Sequence, residues 1–219
     1  MEKIDILSLS PETLGQYLAE MGEPKFRAKQ LFSWLHQKQV TDFAQMTTLS
    51  LQLRQKLNEK FCINRLNIAR KLASSADDTV KYLYELPDGN FVETVLMDYH
   101  HGKSLCISTQ VGCRMGCQFC ASTIAGYVRD LQPSELLLQI YETQRDAGCR
   151  IDSIVLMGIG EPLDNFDNVV QFFRLLSHPD GMNMSLRHAA LSTCGLVPQI
   201  RQLADLRLGV TLSVSLHSP

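Results

Sequence analysis

The sequence predicts an α/β protein: a partial (β/α) barrel of about four parallel strands, preceded by a small helical domain and a β-hairpin. Three observations predict it. Apolar residues recur at helical spacing from the N-terminus to about residue 70. From Thr79 the period changes to two. Beyond Ser104, short apolar strands alternate with helical stretches, the pattern of right-handed βαβ units and a parallel sheet.

The first helix starts at Ser10-Pro-Glu-Thr13, with Ser10 placed to cap and Pro11 at the first helical position. Leu14, Tyr17, Leu18 and Met21 form its apolar face, and Gly22-Glu-Pro24 ends it. A second helix begins near Phe26 with the stripe Ala28, Leu31, Phe32 and Leu35. Arg27 and Lys29 lie off that stripe, and Trp34 suits core packing better than base stacking. Leu49, Leu53 and Leu57 mark a third helix running to Lys60.

Val80–Leu86 and Phe91–Met97, joined by Pro87-Asp-Gly-Asn90, read as a hairpin with an Asp-Gly turn. Strands follow at Ser104–Thr109, Asp152–Met157, Arg187–Thr193 and Val210–Leu216. Helices lie between them at Pro133–Gly148, Asn165–Leu176 and Val197–Ala204. The expected domains are 1–72 (basic, helical, RNA-binding), 73–103 (hairpin linker) and 104–219 (barrel core). Four strands leave the last edge open, so the chain reads as a portion of a longer protein.

The chain's 219 residues, 45% of them hydrophobic and 20% charged, describe an ordinary globular protein. No apolar run approaches the roughly 18 residues of a membrane span. The start, Met-Glu-Lys-Ile-Asp, lacks the basic and apolar regions of a secretion signal. Seven cysteines, an odd number with three clustered, suit a reducing cytoplasm and a metal site. Between Gly22 and Lys71 stand ten Lys/Arg against three Asp/Glu, a net +7 that leaves −9 elsewhere, since the chain totals −2. A basic module beside an acidic body fits contact with a phosphate backbone, although a solvated helical surface has the same composition.

The chemistry centres on Cys113-Arg-Met-Gly-Cys117-Gln-Phe-Cys120. Three thiolates on one loop hold three irons of a cubic [4Fe–4S] cluster and leave the fourth iron open; electron-transfer clusters normally have four cysteines. The C-x3-C-x2-C spacing, with an aromatic before the last cysteine, resembles the signature of the radical S-adenosylmethionine (SAM) enzymes. There the open iron chelates the amino-acid end of SAM. A zinc knuckle is the bland alternative, but no second cysteine pair follows.

Gly158-Ile-Gly160-Glu161-Pro162 follows a buried strand, where glycines permit close backbone approach and Glu161 can pair with an ammonium group. A dinucleotide fingerprint would need a third glycine and would not place an acid beside pyrophosphate. Ser192-Thr-Cys-Gly195 offers hydroxyls for a carboxylate or ribose, or simply a helix cap. Ser213-Val-Ser215-Leu216-His217 ends the last strand. These motifs and the cysteine loop all fall at C-terminal strand ends, where barrel active sites form.

The sequence resembles the RlmN family of adenine C2-methyltransferases. The matching stretches are Phe26-Arg-Ala-Lys-Gln30, Val92-Glu-Thr-Val95, Cys106-Ile-Ser-Thr-Gln-Val-Gly-Cys113 with the loop to Cys120-Ala-Ser-Thr, Met157–Phe166, Leu191-Ser-Thr193 and Ser213–Pro219. The resemblance implies a cytoplasmic, monomeric enzyme that methylates C2 of an adenosine in 23S rRNA and in tRNA. Its cofactors would be a [4Fe–4S] cluster and two SAM molecules, with an electron donor such as a flavodoxin and no membrane partner. It also implies that Cys113, Cys117 and Cys120 ligate the cluster. Gly160, Glu161, Ser192, Ser215, Leu216 and His217 would line the SAM site. Glu93 would be the proton acceptor. Cys106 would be the resolving thiol of a transient disulfide. Read locally, Glu93 is a strand carboxylate and Cys106 a buried strand cysteine.

In this family one SAM methylates a protein cysteine, and a second yields the radical that activates that methyl for addition to the electron-poor C2. The substrate base is then splayed from its stack to reach the site. The methyl-carrying cysteine belongs to the family's C-terminal part and matches no cysteine of residues 1–219. Cys62, Cys149 and Cys194 match no functional position and are expected to be structural. The alternatives are a C8-methylating relative and a non-catalytic iron–sulfur RNA-binding protein.

Overall fold

The structure, a computed structural model, describes residues 3–124 and 126–216. Strand β1 (Ile4–Asp5) leads into helices α1 (Pro11–Glu20), α2 (Phe26–His36) and α3 (Leu51–Lys60). Ser10 caps α1 through Thr13 N at 3.2 Å, and Ser50 caps α3 through Leu53 N at 3.2 Å. Each helix turns its apolar stripe inward: Leu14 and Leu18, then Leu31, Phe32 and Leu35, then Leu53 and Leu57 are buried. Short β2 (Phe61–Cys62) closes this layer by pairing in parallel with β1.

Next come β3 (Asn67–Ala73), β4 (Val80–Glu85), β5 (Phe91–Tyr99) and β6 (Gly102–Cys106), all antiparallel neighbours. The helical reading of residues up to about 70 therefore ends at Lys60. Asn67–Ala73 shows neither helical nor alternating periodicity because all seven residues are exposed, and hydrogen bonding to β4 alone makes it a strand. Arg70 and Lys71 on this edge discourage further strand pairing. The predicted hairpin turn forms, with Gly89 at φ +81° and Leu86 N donating to Asn90 O at 2.8 Å.

A second hairpin, β7 (Gln110–Gly112) and β8 (Tyr127–Asp130), brackets the cysteine loop. Helices α4 (Pro133–Ala147), α5 (Phe166–Ser177) and α6 (Val197–Leu206) alternate with β9 (Ser153–Leu156), β10 (Ala189–Thr193) and β11 (Thr211–Val214). One seven-stranded sheet results, in the order β11-β10-β9-β6-β5-β4-β3. The four strands β6, β9, β10 and β11 are mutually parallel, as the βα alternation predicts. The antiparallel strands extend this sheet directly.

Alternation sorts the two faces. Val92, Thr94 and Leu96 of β5 lie buried beneath α4, while Glu93, Val95 and Met97 are half-buried on the opposite, concave face. Register places Val95, Cys106, Val155, Ala190 and Thr211 in one row across that face. Gln139 of α4 ties the layers together. Its Oε1 accepts from Thr94 Oγ1 at 2.8 Å and from Ser108 N at 2.9 Å. The N-terminal helices dock on the other side of α4, where His36 Nδ1 meets Tyr141 OH at 2.9 Å. One continuous buried cluster runs from Ile6 through Phe32 to Tyr82, Leu105 and Phe172.

Candidate active site

A cavity of about 330 Å³ opens at the C-terminal ends of β9, β10 and β11. Cys113, Cys117 and Cys120 form one part of its wall, Gly158, Gly160 and Glu161 its floor, and Ser192, Thr193, Cys194 and Ser215 a further part of its wall. Met115, Phe119 and Met157 add apolar surface. Three motifs far apart in sequence thus meet because parallel strands deliver their C-terminal ends to one rim.

The cysteine loop is held at its base and along its side. At Gly112 (φ +72°) a Cβ would stand 1.8 Å from Gly126 O, so only glycine lets the loop's two ends approach. Cys113 N donates to Gly126 O at 3.2 Å. Arg114 is fixed by Asp164 at 2.7 Å and lies over the Tyr127 ring at 3.9 Å. Burial pushes the Cys113 thiol pKa up, a backbone hydrogen bond from Met115 opposes it, and Cys117, Cys120 and Glu161 add to the rise.

Gln110, fully buried, organises the floor. Its Oε1 accepts from Glu161 N at 2.9 Å, and its Nε2 donates to Asp130 and Asp164 at 2.8 Å each. Gly160 passes so close that a Cβ would meet Gln110 N at 2.7 Å, and its φ of +104° is itself a glycine conformation. The Glu161 carboxylate is buried against two backbone donors, Leu163 N at 3.0 Å and Cys194 N at 2.8 Å. Each oxygen keeps a lone pair for another donor.

Elsewhere on the wall, Ser192 Oγ and Ser215 Oγ stand 3.2 Å apart, and Ser215 N donates to Thr193 O at 2.9 Å. Leu216 is exposed and does not line the cavity, and His217 lies outside the described residues. Glu93 and Cys106 sit on the neighbouring concave face of β5 and β6, not in the cavity lining. Glu93 pairs with Lys81 at 2.7 Å. Burial pushes the Cys106 thiol up, against a backbone hydrogen bond from Met157.

Cys194 departs from the expectation of a structural cysteine. It is exposed and lines the same cavity as the loop cysteines. Partial burial of its sulfur, then its hydrogen bond to the Glu161 carboxylate, push the thiol up to about 11. The Ser-Thr-Cys-Gly motif at a strand end was the available signal, but only the fold shows that its cysteine joins Ser192 and Thr193 in the cavity lining. All seven cysteines are free thiols, so the expected disulfide is not formed within this chain.

Among the described residues no three His, Cys, Asp or Glu side chains are grouped to hold a single metal ion. A cubane bound through three separate irons holds its thiolates farther apart than the ligands of one ion. The donor set, three soft thiolates with Met115, Phe119 and Met157 beside them, fits such a cluster better than a lone divalent ion. Among the described residues no helix is long and apolar enough to cross a membrane.

Comparison with known proteins agrees with this geometry. Residues 4–63 match the ribosomal RNA large subunit methyltransferase N-terminal domain, and residues 107–219 match the radical SAM superfamily. A probable dual-specificity RNA methyltransferase RlmN of Lachnoclostridium phytofermentans is 53% identical over 218 residues, 100% of this chain and 61% of that protein. One from Alkaliphilus oremlandii is 52% identical over 219 residues, 100% of this chain and 64% of that protein. The crystal structure of a radical SAM methyltransferase from Sphaerobacter thermophilus superposes with a TM-score of 0.91 at 36% identity, covering 99% of this chain and 64% of that one. The chain thus spans somewhat less than two thirds of the length of these relatives.

Proposed function

The chain belongs to the radical SAM superfamily and, within it, to the RlmN family, and on that premise we propose that the whole protein methylates C2 of adenosine in 23S rRNA and tRNA. The observation that carries this reading is the single cavity shared by the cysteine loop, Glu161 and the Ser192–Ser215 wall. Cys113, Cys117 and Cys120 would hold the [4Fe–4S] cluster. When bound, the cluster and SAM supply one-electron chemistry that attacks carbons too electron-poor for ordinary methyl transfer.

The chain's own residues then position and shield. Glu161, oriented by Cys194 N and Leu163 N, offers its remaining lone pairs to the SAM ammonium. Gly160 keeps the floor open to the ligand backbone, and Ser192 and Ser215 present hydroxyls to its carboxylate or ribose. Leu216 and His217 would contribute to SAM binding by their place in the family motif alone. Met157 and Phe119 add apolar contact surface to the cavity. Glu93, on the concave face, would take the C2 proton, and Cys106 would serve as the resolving thiol for a thiol outside this chain's matching positions.

Residues 1–72 form the RNA-gripping module of this reading, 73–103 its link, and 104–219 the barrel core. Four of the cations are committed elsewhere: Lys29 pairs with Asp180 at 3.0 Å, Lys60 with Glu20 at 2.9 Å, Arg65 with Glu142 at 3.2 Å and Lys71 with Asp146 at 2.5 Å. Lys25 and Lys38 remain exposed for phosphate. The enzyme would be cytoplasmic and monomeric and take its electron from a flavodoxin-like donor.

The test is anaerobic reconstitution with iron and sulfide, then incubation with SAM and dithionite. The expected result is 5′-deoxyadenosine from the native chain and none from Cys117→Ala. A chain that retains no iron and sulfide would refute the reading of the loop.

A further inference from the structure

Cys194 shares a cavity with three other thiols, yet nothing in the proposed chemistry uses it. It lines the same cavity as the loop cysteines, close enough to interact electrostatically with Cys117, and lies exposed to solvent just after β10. Its backbone is pinned, because Cys194 N donates to Glu161 Oε2 at 2.8 Å and Gly195 N to Thr193 Oγ1 at 3.1 Å. Its sulfur faces Glu161, the carboxylate assigned to the SAM ammonium. The thiol therefore occupies the place where the amino-acid end of SAM would lie. The other cysteines outside the loop, Cys62, Cys106 and Cys149, do not line this cavity.

We propose that Cys194 is a displaceable fourth thiolate ligand, capping the open iron of the cluster until SAM arrives. The inference rests on the reading of Cys113, Cys117 and Cys120 as the three fixed ligands. An iron without a protein ligand is otherwise bound by water, and a soft thiolate competes well for iron against water. In the capping step the Cys194 sulfur donates a lone pair to iron, its proton passes to solvent and one water leaves the metal. When SAM binds, its amine and carboxylate take the iron, the iron–sulfur bond to Cys194 breaks, and the thiolate regains a proton from solvent. No oxidation state changes. The cap protects the labile iron when SAM is scarce, at the cost of competing with SAM.

The experiment compares native protein with Cys194→Ala and Cys194→Ser after anaerobic reconstitution, with iron and sulfide content measured for each. Ferricyanide is added without SAM, and conversion to the three-iron cluster is followed by electron paramagnetic resonance. Both variants should convert about tenfold faster than native protein, the factor expected if the thiolate occupies the iron about nine-tenths of the time. Removing this competitor should also tighten SAM binding about tenfold in Cys194→Ala. With saturating SAM, which caps the iron itself, the three proteins should convert alike. Equal rates without SAM, with intact clusters throughout, would overturn the cap and leave the three-cysteine site standing. A Cys194→Ser protein that behaves as native would also overturn it, since serine keeps the hydrogen bond to Glu161. If native protein holds no cluster, both readings fall together.

Discussion

His36 makes the stability of this fold depend on pH in a direction that can be worked out from its surroundings. It lies on α2 at 1% exposure, bonded through Nδ1 to Tyr141 OH, with Nε2 buried and unpartnered. Burial, aided by nearby His178, lowers its pKa from 6.5 to about 3. The folded state therefore holds the neutral ring where the unfolded chain would bind a proton. Because the folded value is depressed, its stabilising contribution is present above 6.5 and is lost as pH falls toward about 3. Taking those two values, stability should drop by about 2 kcal/mol between roughly pH 8 and pH 5 through this group alone. For a chain of this size that corresponds to about 4–8 °C in Tm. His36→Phe removes the titration and leaves the buried Tyr141 hydroxyl without its partner, costing about 1–3 kcal/mol at neutral pH. Urea unfolding of both proteins across this range is the assay. The variant should start lower and fall less steeply on acidification. Parallel profiles would show that the imidazole is protonated in the folded protein and refute the reasoning.

Gly160→Ala combines a left-handed backbone with a Cβ 2.7 Å from Gln110 N, and should cost about 2–6 kcal/mol. Thermal unfolding and SAM binding should both suffer, and an unchanged Tm would contradict the close approach at the cavity floor. For the basic module, Lys25→Glu with Lys38→Glu should weaken RNA binding and lower the salt-dependence slope by at least about 1.4–1.8, the share of two phosphate contacts. Filter binding across a salt series measures this, and an unaltered slope would place the RNA elsewhere. Lys29 is a poor choice for such a test because it also tethers α2 to Asp180.

Trp34 illustrates how far local reading reaches. Its place on α2 follows from helical spacing, and it is indeed half-buried. That its Nε1 bonds Thr48 Oγ1 at 2.8 Å while Lys38 covers the ring at 3.4 Å depends on the loop before α3 folding back. The hairpin β4–β5 was legible because an Asp-Gly turn and alternation are local properties. Strand β3 was not, since an exposed edge strand has no buried face to impose a period. The β7–β8 pair escaped for a related reason: three or four residues are too few to display a pattern, and their pairing spans the whole cysteine loop.

By itself the sequence determined the helices, the hairpin, the four parallel strands and the three-cysteine loop, because caps, turn residues, periodicity and ligand spacing act over a few neighbouring positions. Tertiary structure decided which distant groups meet. It put Gln110 beneath Glu161, drew Lys29 away to Asp180, left Glu93 and Cys106 outside the cavity lining, and brought Cys194 into one cavity with the loop thiols. Those outcomes depend on strand order and register, which are set by pairing between segments tens of residues apart and leave no mark on any short stretch of chain.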